Sequence, residues 1–287
     1  LSLWLSPGGH GSLAGHGFAM ALGFVLVTAG LLSSTLHLGK PLRAWRAFSQ
    51  WRSSWLSREG VLALACYLPF VALLVGALTR SHALKTMGPM LLALLALLSL
   101  ATVACTAMIY ASLRPIPAWS NRRVVPVYLL FALHTGGILL ALLLAAFGEL
   151  WNIGGLAIIV SSLLLAWLKR GYWRAIDRDP LPATRASALG LPADRVATVF
   201  ERPHTEASYL TKEMGHVLAR KHARRLRLIG LVLFAVVPAL CALPVWLLPH
   251  MEAAWPMGIA ALSVMLGAAV ERWLFFAEAR HVVTLYY

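Results

Sequence analysis

The chain has 287 residues, of which 60% are hydrophobic and only 13% are charged. Soluble domains carry roughly 45–50% apolar and about 25% charged residues, so this composition excludes a soluble globular protein and indicates a membrane protein with several spans. The net charge of +14 does not indicate nucleic-acid binding, because the basic residues lie between apolar runs and do not alternate with aromatic residues on a polar face.

Seven apolar stretches are each long enough to cross a hydrocarbon core, which needs about 20 helical residues. Continuous apolar runs lack the alternation of barrel strands, so we expect helices. Because the sequence starts at Leu1 without a charged leader and cleavage site, we expect a truncated beginning with a further segment before it. The sequence thus predicts an all-α, polytopic membrane helix bundle that forms a single unit over 1–287. The predicted spans are 13–36, 60–79, 87–113, 124–148, 150–168, 228–249 and 253–285.

Connections rich and poor in lysine and arginine alternate along the chain. Five such residues occur in 37–59, three in 112–123 and thirteen in 169–227, whereas the intervening connections hold two, none and none. Basic connections stay on the cytoplasmic side of a membrane. We therefore predict that the visible N-terminus lies outside, and that these three basic connections and the C-terminus are cytoplasmic.

The 169–227 connection is too long for a turn, and long ordered loops usually serve a function. Its first half contains prolines and acids between Asp177 and Glu206, and a helix is plausible over 211–225. The helix can lie on anionic lipid, or it can dock a cytoplasmic protein partner, which the acidic half favours. The candidate docking residues are Lys212, Arg220, Lys221, Arg224 and Arg225.

A histidine and a carboxylate flank the first basic connection. His37 closes the first span and Glu59 opens the second. Ionisable groups near a membrane tend to be kept for function, and a quinone needs hydrogen-bond partners for two carbonyls and a route for two protons. We therefore predict a quinone site in which His37 binds a carbonyl and Glu59 exchanges protons. A structural histidine, and a glutamate that caps its helix or pairs with an arginine, are the alternatives.

Three further residues are predicted to shape this quinone site, namely Tyr110, Trp119 and Arg43. Tyr110 ends the third span, and two prolines stiffen the connection that leads to Trp119. The Trp119 ring can stack on a quinone. An aromatic residue of the membrane interface is an equally good interpretation of Trp119.

Two carboxylates of the final span are candidates for proton transfer. Glu271 and Glu278 are seven residues apart and therefore share one face of a helix. Together with Glu59 they can form a proton path. Salt bridges between helices, with cations such as Arg272, are the other interpretation.

Residues that could hold an electron-carrying metal are sparse. Cys66, Cys105 and Cys241 stand alone in apolar runs, without the C-x-x-C spacing of a cluster or zinc site, and we expect them to pack as small apolar side chains. A haem would need His16 and His134 to face each other, and we expect no haem. An electron-carrying metal would then come mainly from another polypeptide.

Four blocks occur in order along nearly the whole chain: Leu36-His37-Leu38-Gly39-x-Pro41-x-Arg43-Ala44, Leu56-Ser57-x-Glu59, Tyr110 with Pro117-x-Trp119, and Arg272-x-x-Phe275-Phe276. They resemble the membrane anchor subunit family of dimethyl sulfoxide reductase; the first block is specific and the others are weak alone. The resemblance implies an eight-helix quinone-binding anchor without haem, whose quinol-site His and Glu fall on His37 and Glu59. Seven visible spans then fit one missing N-terminal helix.

The same resemblance implies partners and a location. A molybdopterin catalytic subunit and a four-cluster iron–sulfur subunit would assemble on this chain at the bacterial cytoplasmic membrane. Ubiquinone or menaquinone would bind in the anchor, whereas molybdopterin and the iron–sulfur clusters would be held only by the partners. No catalytic centre and no metal site is expected in this chain itself.

The basic insertion departs from the reductase pattern in two blocks: Pro203-His204-Thr205-Glu206-x-x-Tyr209-Leu210-x-Lys212-Glu213-Met214-Gly215 and Ala219-Arg220-Lys221-His222-Ala223. These blocks resemble the branch of cytoplasmic sulfite dehydrogenases, in which electrons would flow from sulfite to quinone. A quinol-oxidising reductase anchor is the alternative. A proton-coupled secondary transporter, for which no internal repeat is visible, and a purely structural anchor are the rivals from other classes.

Overall fold

The computed structural model describes residues 13–36, 39–79, 82–178, 183–192, 194–201, 217–248 and 251–286. Within these ranges the regular elements are helices, with no strand. Seven helical segments of the described chain are long and apolar enough to cross a membrane. The prediction of an all-α, multi-pass membrane protein is therefore confirmed.

The helices are numbered in chain order. They are α1 (Leu13–Leu36), α2 (Trp55–Ala65), α3 (Tyr67–Thr79), α4 (His82–Thr86), α5 (Gly88–Ala111), α6 (Val124–Ala146), α7 (Asn152–Arg178), α8 (Arg185–Ala188), α9 (Val217–Lys221), α10 (Ala223–Leu231), α11 (Val237–Leu247) and α12 (Ala254–Ala277). Two 3-10 helices, Pro41–Gln50 and Val282–Tyr286, and a π-helix, Val232–Val236, are also present. One membrane span combines α2 and α3, and another combines α10, the π-helix and α11.

The chain forms two compact units. Unit 1 comprises the described residues of Leu1–Ile109 and Leu139–Leu150, and unit 2 comprises those of Tyr110–Ile138 and Trp151–Tyr287.

Unit 1 is held by aromatic and small-residue contacts between neighbouring helices. The Phe24 ring stacks on the Phe70 ring at a centroid distance of 4.3 Å. The Thr28 and Tyr67 hydroxyls hydrogen-bond at 2.9 Å. A Cβ on Gly60 would lie 2.7 Å from the Phe48 ring, so glycine at this position lets the first 3-10 helix pack against α2.

Unit 2 contains close approaches between helix backbones. A Cβ on Gly155 would lie 2.9 Å from the Ala242 carbonyl oxygen, and a Cβ on Gly267 would lie 2.6 Å from the Phe234 backbone nitrogen. These glycines allow α7 to pack on α11 and α12 to pack on the π-helix. Small residues at such crossings are typical of membrane helices, because van der Waals packing contributes much of helix association in lipid.

The π-helix has an identifiable cause in the sequence. Pro238 has no backbone N–H, so the carbonyl of Phe234, four residues earlier, loses its usual helical donor. His134 Nε2 on α6 hydrogen-bonds that carbonyl oxygen at 2.8 Å. The Ser263 hydroxyl donates to the neighbouring Leu233 carbonyl at 2.8 Å. Side chains of two other helices therefore compensate for the irregular backbone inside the membrane.

Several predicted boundaries differ from the structure, most clearly at the long basic connection. The fifth span does not end at residue 168, since α7 continues to Arg178, and the sixth begins at Ala223 instead of 228. The reason is packing: Lys169, Tyr172 and Trp173 are buried, so these polar-looking residues belong to the helix. The connection predicted over 169–227 is correspondingly shorter.

Other boundaries move by a few residues. The second span begins at Trp55 rather than 60, and the final span ends at Ala277 rather than 285. Of the helix predicted over 211–225, the described part consists of α9 and α10, which are interrupted at His222. The remainder, including Lys212, lies outside the described residues.

Candidate functional site

Glu59 lies near the N-terminal end of α2 in unit 1, where its side chain is half-buried. Its carboxylate Oε1 accepts a hydrogen bond of 2.6 Å from the Thr106 hydroxyl on α5. Within the described ranges, no lysine, arginine or histidine forms an ion pair with this carboxylate. Glu59 is thus an acid at a membrane helix end that is held by a neutral hydroxyl.

The residues around Glu59 argue against the two structural interpretations of this carboxylate, a helix cap and an ion pair with an arginine. Ser54 caps α2, its side-chain oxygen accepting a hydrogen bond from the Ser57 backbone N–H at 3.4 Å. Arg58 donates from Nε to the Trp51 carbonyl oxygen at 3.0 Å, and its guanidinium lies 4.3 Å from the Trp55 ring centre. Neither capping of the helix nor pairing with Arg58 therefore accounts for the Glu59 carboxylate.

The other predicted residues of unit 1 lie on the preceding connection. Arg43 is exposed on the first 3-10 helix, where its backbone N–H donates to the Lys40 carbonyl oxygen at 3.0 Å. The Ser57 hydroxyl donates to the Ala47 carbonyl and ties this 3-10 helix to α2. His37 lies outside the described residues.

The two predicted aromatic residues, Tyr110 and Trp119, meet Phe275 of another sequence motif in one cluster of unit 2. Tyr110 packs edge-on against Trp119 at a centroid distance of 5.3 Å, and Trp119 stacks on Phe275 at 5.8 Å. The Trp119 indole N–H donates to the Phe275 carbonyl oxygen at 2.9 Å, and the side chain is buried. Trp119 is therefore a packed, hydrogen-bonded residue of unit 2 and not an exposed residue of an aromatic belt.

Glu271 lies in a buried ion cluster of unit 2. It pairs with Lys169 of α7, and the side chains of both residues are only 1% exposed. Arg272 Nε also donates to Glu271 Oε2 at 2.6 Å, and the Arg272 guanidinium lies 4.1 Å from the Tyr128 ring centre. The salt-bridge interpretation of Glu271 is thereby confirmed.

Lys169 is the residue of this cluster that sequence reasoning missed, because it was assigned to the basic connection. A usable signal was present: aromatic residues follow it at the helical spacings of three and four, Tyr172 and Trp173. The Lys169 ammonium lies 4.3 Å from the Tyr172 ring centre and 5.0 Å from the nearest Trp173 ring centre. Such neighbours favour a cation held inside a helix bundle over one in a loop.

Glu278 is also in a salt bridge, at the end of α12. Arg227 donates from Nε to Glu278 Oε1 at 2.8 Å and from Nη1 to Asp177 Oδ2 at 2.8 Å. Burial raises the pKa of the Glu278 carboxyl, against the opposing attraction of the Arg227 guanidinium. The bridge joins the ends of α7 and α12 to the middle of α10 within unit 2.

A large cavity of about 1040 Å³ lies at this end of unit 2. Its lining includes two carboxylates, Asp177 and Glu278, but most of its charged groups are cations. The cations are Arg122, Arg123, Arg185, Arg220, Arg227 and Arg280.

The predicted docking residues that the structure describes lie beside this cavity. Arg220 donates from Nε to the Ala277 carbonyl oxygen at 3.1 Å and so holds α9 to the end of α12. The side chains of Lys221, Arg224 and Arg225 are exposed. They line an adjoining cavity of about 770 Å³.

Possible metal ligands are dispersed in the described part of the chain. No group of three or more His, Cys, Asp or Glu side chains is placed there to hold a metal ion. Both ring nitrogens of His134 are hydrogen-bonded, Nδ1 to the Ser161 hydroxyl at 2.8 Å and Nε2 to the Phe234 carbonyl. Cys105 is buried and Cys66 and Cys241 are partly buried, all as free thiols.

Comparison with known proteins gives one family and one similar protein. Residues 16–277 match the family described as the DMSO reductase anchor subunit (DmsC). The chain is 34% identical over 276 residues to a sulfite dehydrogenase subunit from Allochromatium vinosum, an alignment that covers 90% of this chain and 81% of that protein. No solved structure matches the chain significantly.

Proposed function

Because the chain belongs to the DMSO reductase anchor subunit family, we propose that it is a quinone-reactive anchor that passes electrons between a partner iron–sulfur subunit and the membrane quinone pool. The molybdopterin subunit of the same complex would oxidise sulfite. Support for sulfite oxidation is the 34% identity to a protein named as part of a sulfite dehydrogenase. A quinol-oxidising anchor of a DMSO reductase is the second candidate, favoured by the description of the family itself.

The observation that carries the quinone proposal is the Glu59–Thr106 pair. A quinone, when bound, takes up or releases two electrons and two protons. Thr106 donates to Oε1 of the Glu59 carboxylate, and no other hydrogen bond to this carboxylate occurs among the described residues. Oε2 is therefore available to receive or release a proton, and a buried cation does not oppose the change of charge.

His37 completes the proposed site from the other end of the same basic connection. Its imidazole would hydrogen-bond one quinone carbonyl, and a histidine side chain can both accept and donate a proton. Arg43 would contribute a positive charge at the rim. Tyr110 and Trp119 belong to unit 2, where the Trp119 indole N–H is already bonded, and their role at the quinone site stays a prediction from the sequence.

The proton path is best assigned to Glu59 alone among the three candidate carboxylates. Deprotonated Glu271 balances two cations, Lys169 and Arg272, and protonating it would leave both without their counter-charge in a buried site. Glu278 is coupled to Arg227 at the end of its helix. In the proposal both residues therefore stabilise the fold through salt bridges and do not carry protons.

The proposed docking surface for the iron–sulfur partner is formed by Lys221, Arg224 and Arg225, with Lys212 outside the described residues. Exposed cations on one short segment favour a partner with an acidic face, and such complementarity mainly speeds association and fixes register. Lys221 precedes the sixth span and Arg224 and Arg225 lie in its first turn, next to a connection that the charge distribution predicts to be cytoplasmic. The complex would then face the cytoplasm from the bacterial inner membrane.

Purification in mild detergent tests the proposal. Co-purification of two further chains with molybdenum, iron–sulfur clusters and quinone is the expected result, and a sulfite assay against a sulfoxide assay then decides the direction of electron flow. Quinone at less than stoichiometric amount in an intact three-chain complex would favour a purely structural anchor. Substrate flux through the isolated anchor, without partners, would favour a proton-coupled transporter.

A further inference from the structure

A groove along α7 in unit 2 is lined by four arginines and by no carboxylate. Its volume is about 750 Å³. Three of the arginines, Arg170, Arg174 and Arg178, lie on α7 itself, and Arg123 comes from the connection before α6. We refer to it as the α7 groove.

The face of α7 that lines the groove changes from apolar to basic along its length. Leu163, Trp167, Arg170, Arg174 and Arg178 follow one another at intervals of three or four residues, so they form one stripe about 22 Å long. The Leu163 side chain is 64% exposed and that of Trp167 is 69% exposed. Exposed apolar residues followed by a tryptophan and then by arginines mark the passage from acyl chains to headgroups.

Arg123 brings a fourth cation to the groove. A Cβ on Gly171 would lie 3.1 Å from Arg123 Nε, so the guanidinium rests against the bare backbone of α7. A side chain at residue 171 would push Arg123 away from this position. Glycine at residue 171 therefore allows the Arg123 guanidinium to lie over the turn between Arg170 and Arg174.

These four guanidiniums have no protein counter-charge in the described part of the chain, since none of them is in an ion pair there. Arg227, in contrast, pairs with both Asp177 and Glu278 nearby. Four like charges on one groove repel one another, and an anion between them would remove that repulsion.

We propose that the α7 groove binds an anionic phospholipid, with the phosphodiester among Arg123, Arg170 and Arg174 and an acyl chain along Trp167 and Leu163. Lipid is favoured over a protein partner because the stripe continues into the exposed apolar part of a membrane span. Lipid is favoured over a free anion because the apolar half of the groove can contact the hydrocarbon tail of a lipid, whereas a small anion would leave it without a ligand contact. The assignment is independent of quinone chemistry and of the partner subunits.

The test is a thermal-shift titration of the delipidated protein, in its complex or as the full chain, with cardiolipin, phosphatidylglycerol, phosphatidylcholine or inorganic phosphate. Cardiolipin and phosphatidylglycerol should raise the melting temperature, with an effect that weakens at high salt, and phosphatidylcholine and phosphate should not. Native mass spectrometry should show anionic lipid retained by the parent protein. The Arg170→Gln/Arg174→Gln variant should retain less than about half of that amount.

A matched control removes the same charge elsewhere in unit 2. Arg122→Gln/Arg280→Gln changes two arginines of the large cavity and should leave lipid retention at the parent level. Equal shifts with phosphatidylcholine, or equal lipid retention by both double variants, would overturn the proposal. A shift reproduced by phosphate alone would replace the lipid with a simple anion. Loss of partner chains from the Arg170→Gln/Arg174→Gln variant with lipid retention unchanged would assign the groove to a protein instead.

Discussion

Glu59 in unit 1 and Glu271 in unit 2 are both acids in membrane helices, but their surroundings differ in charge. Glu59 is half-buried and accepts one hydrogen bond from the Thr106 hydroxyl. Glu271 is 1% exposed and bonded to two cations, Lys169 and Arg272. The helices around them differ as well: 17% of the residues in the most apolar 18-residue stretch of the α2–α3 span are buried within the protein, against 44% for that of α12.

The charges around each acid determine whether that acid can gain a proton at low cost. Protonating Glu59 removes one charge and strands no neighbour, whereas protonating Glu271 leaves two cations in a buried site. Leaving a buried charge without its partner costs about 3–5 kcal/mol. On this account Glu59 takes part in proton exchange and Glu271 holds unit 2 together.

The largest expected effect comes from Glu271→Gln. The substitution keeps the shape of the side chain but strands Lys169, and we expect a loss of roughly 3–5 kcal/mol in stability. Heating followed by size-exclusion chromatography in detergent measures the fraction that stays folded. Adding Lys169→Met to the variant should recover part of the loss, and parent stability in the single variant would refute the structural role of this pair.

Gly267→Ala should have the next largest effect. Its Cβ would lie 2.6 Å from the Phe234 backbone nitrogen, and backbone cannot rotate away, so we expect a loss of about 1–3 kcal/mol. Gly60→Ala in unit 1 is the comparison, because its Cβ would meet only the movable Phe48 ring. Gly136→Ala, with nothing within 4 Å, is the neutral control. Equal melting temperatures for the Gly267 and Gly136 variants would contradict the close packing of unit 2.

Thr106→Val removes the hydroxyl that donates a hydrogen bond to the Glu59 carboxylate. Removing the donor should lower electron transfer to quinone several-fold and change stability by less than about 1.5 kcal/mol, as for a typical hydrogen bond. Thr102→Val, one turn earlier, removes a hydroxyl that donates to the Leu98 carbonyl, and turnover should stay at the parent value. Equal turnover in the two variants would remove Thr106 from the site.

The smallest effect concerns pH and Glu278. Burial raises the pKa of this carboxyl in the folded protein, so the folded state binds its proton more tightly than the unfolded state does. Stability from this group is therefore complete below the unfolded pKa of about 4.3 and falls as pH rises towards the folded pKa. Glu278→Gln lacks this dependence, so its melting temperature relative to the parent should rise as the pH increases above about 4.3. A constant difference above that pH would contradict the raised pKa.

The spans were predictable from the sequence because length and hydropathy alone determine which segments can cross a membrane. Their ends were less predictable. α7 continues through Lys169, Tyr172 and Trp173 because Glu271 compensates the lysine charge, and that partner is 102 residues away in the chain. Composition cannot reveal such a partner, so in the sequence alone a buried cation cannot be distinguished from a cation in a loop.

The candidate site was predictable in part for a related reason. Glu59 was predicted as a site residue because an acid at a helix end is conspicuous in an apolar sequence, and its role in the site stays a prediction. Thr106 was missed, since a threonine inside an apolar helix has no such signal and usually bonds its own backbone. The cluster of Tyr110, Trp119 and Phe275 joins two separate motifs, and only the folded structure shows that the Trp119 indole N–H is already occupied.

The most direct test of the account is the rate of electron transfer from the partner subunits to added quinone in the assembled complex carrying Glu59→Gln. General acid–base groups contribute about 10²–10⁴-fold, so a loss of at least about 100-fold is expected. Stability should stay near that of the parent because the amide can still accept from Thr106, and Glu59→Asp should keep part of the rate. Parent turnover in a fully assembled Glu59→Gln complex would contradict the account.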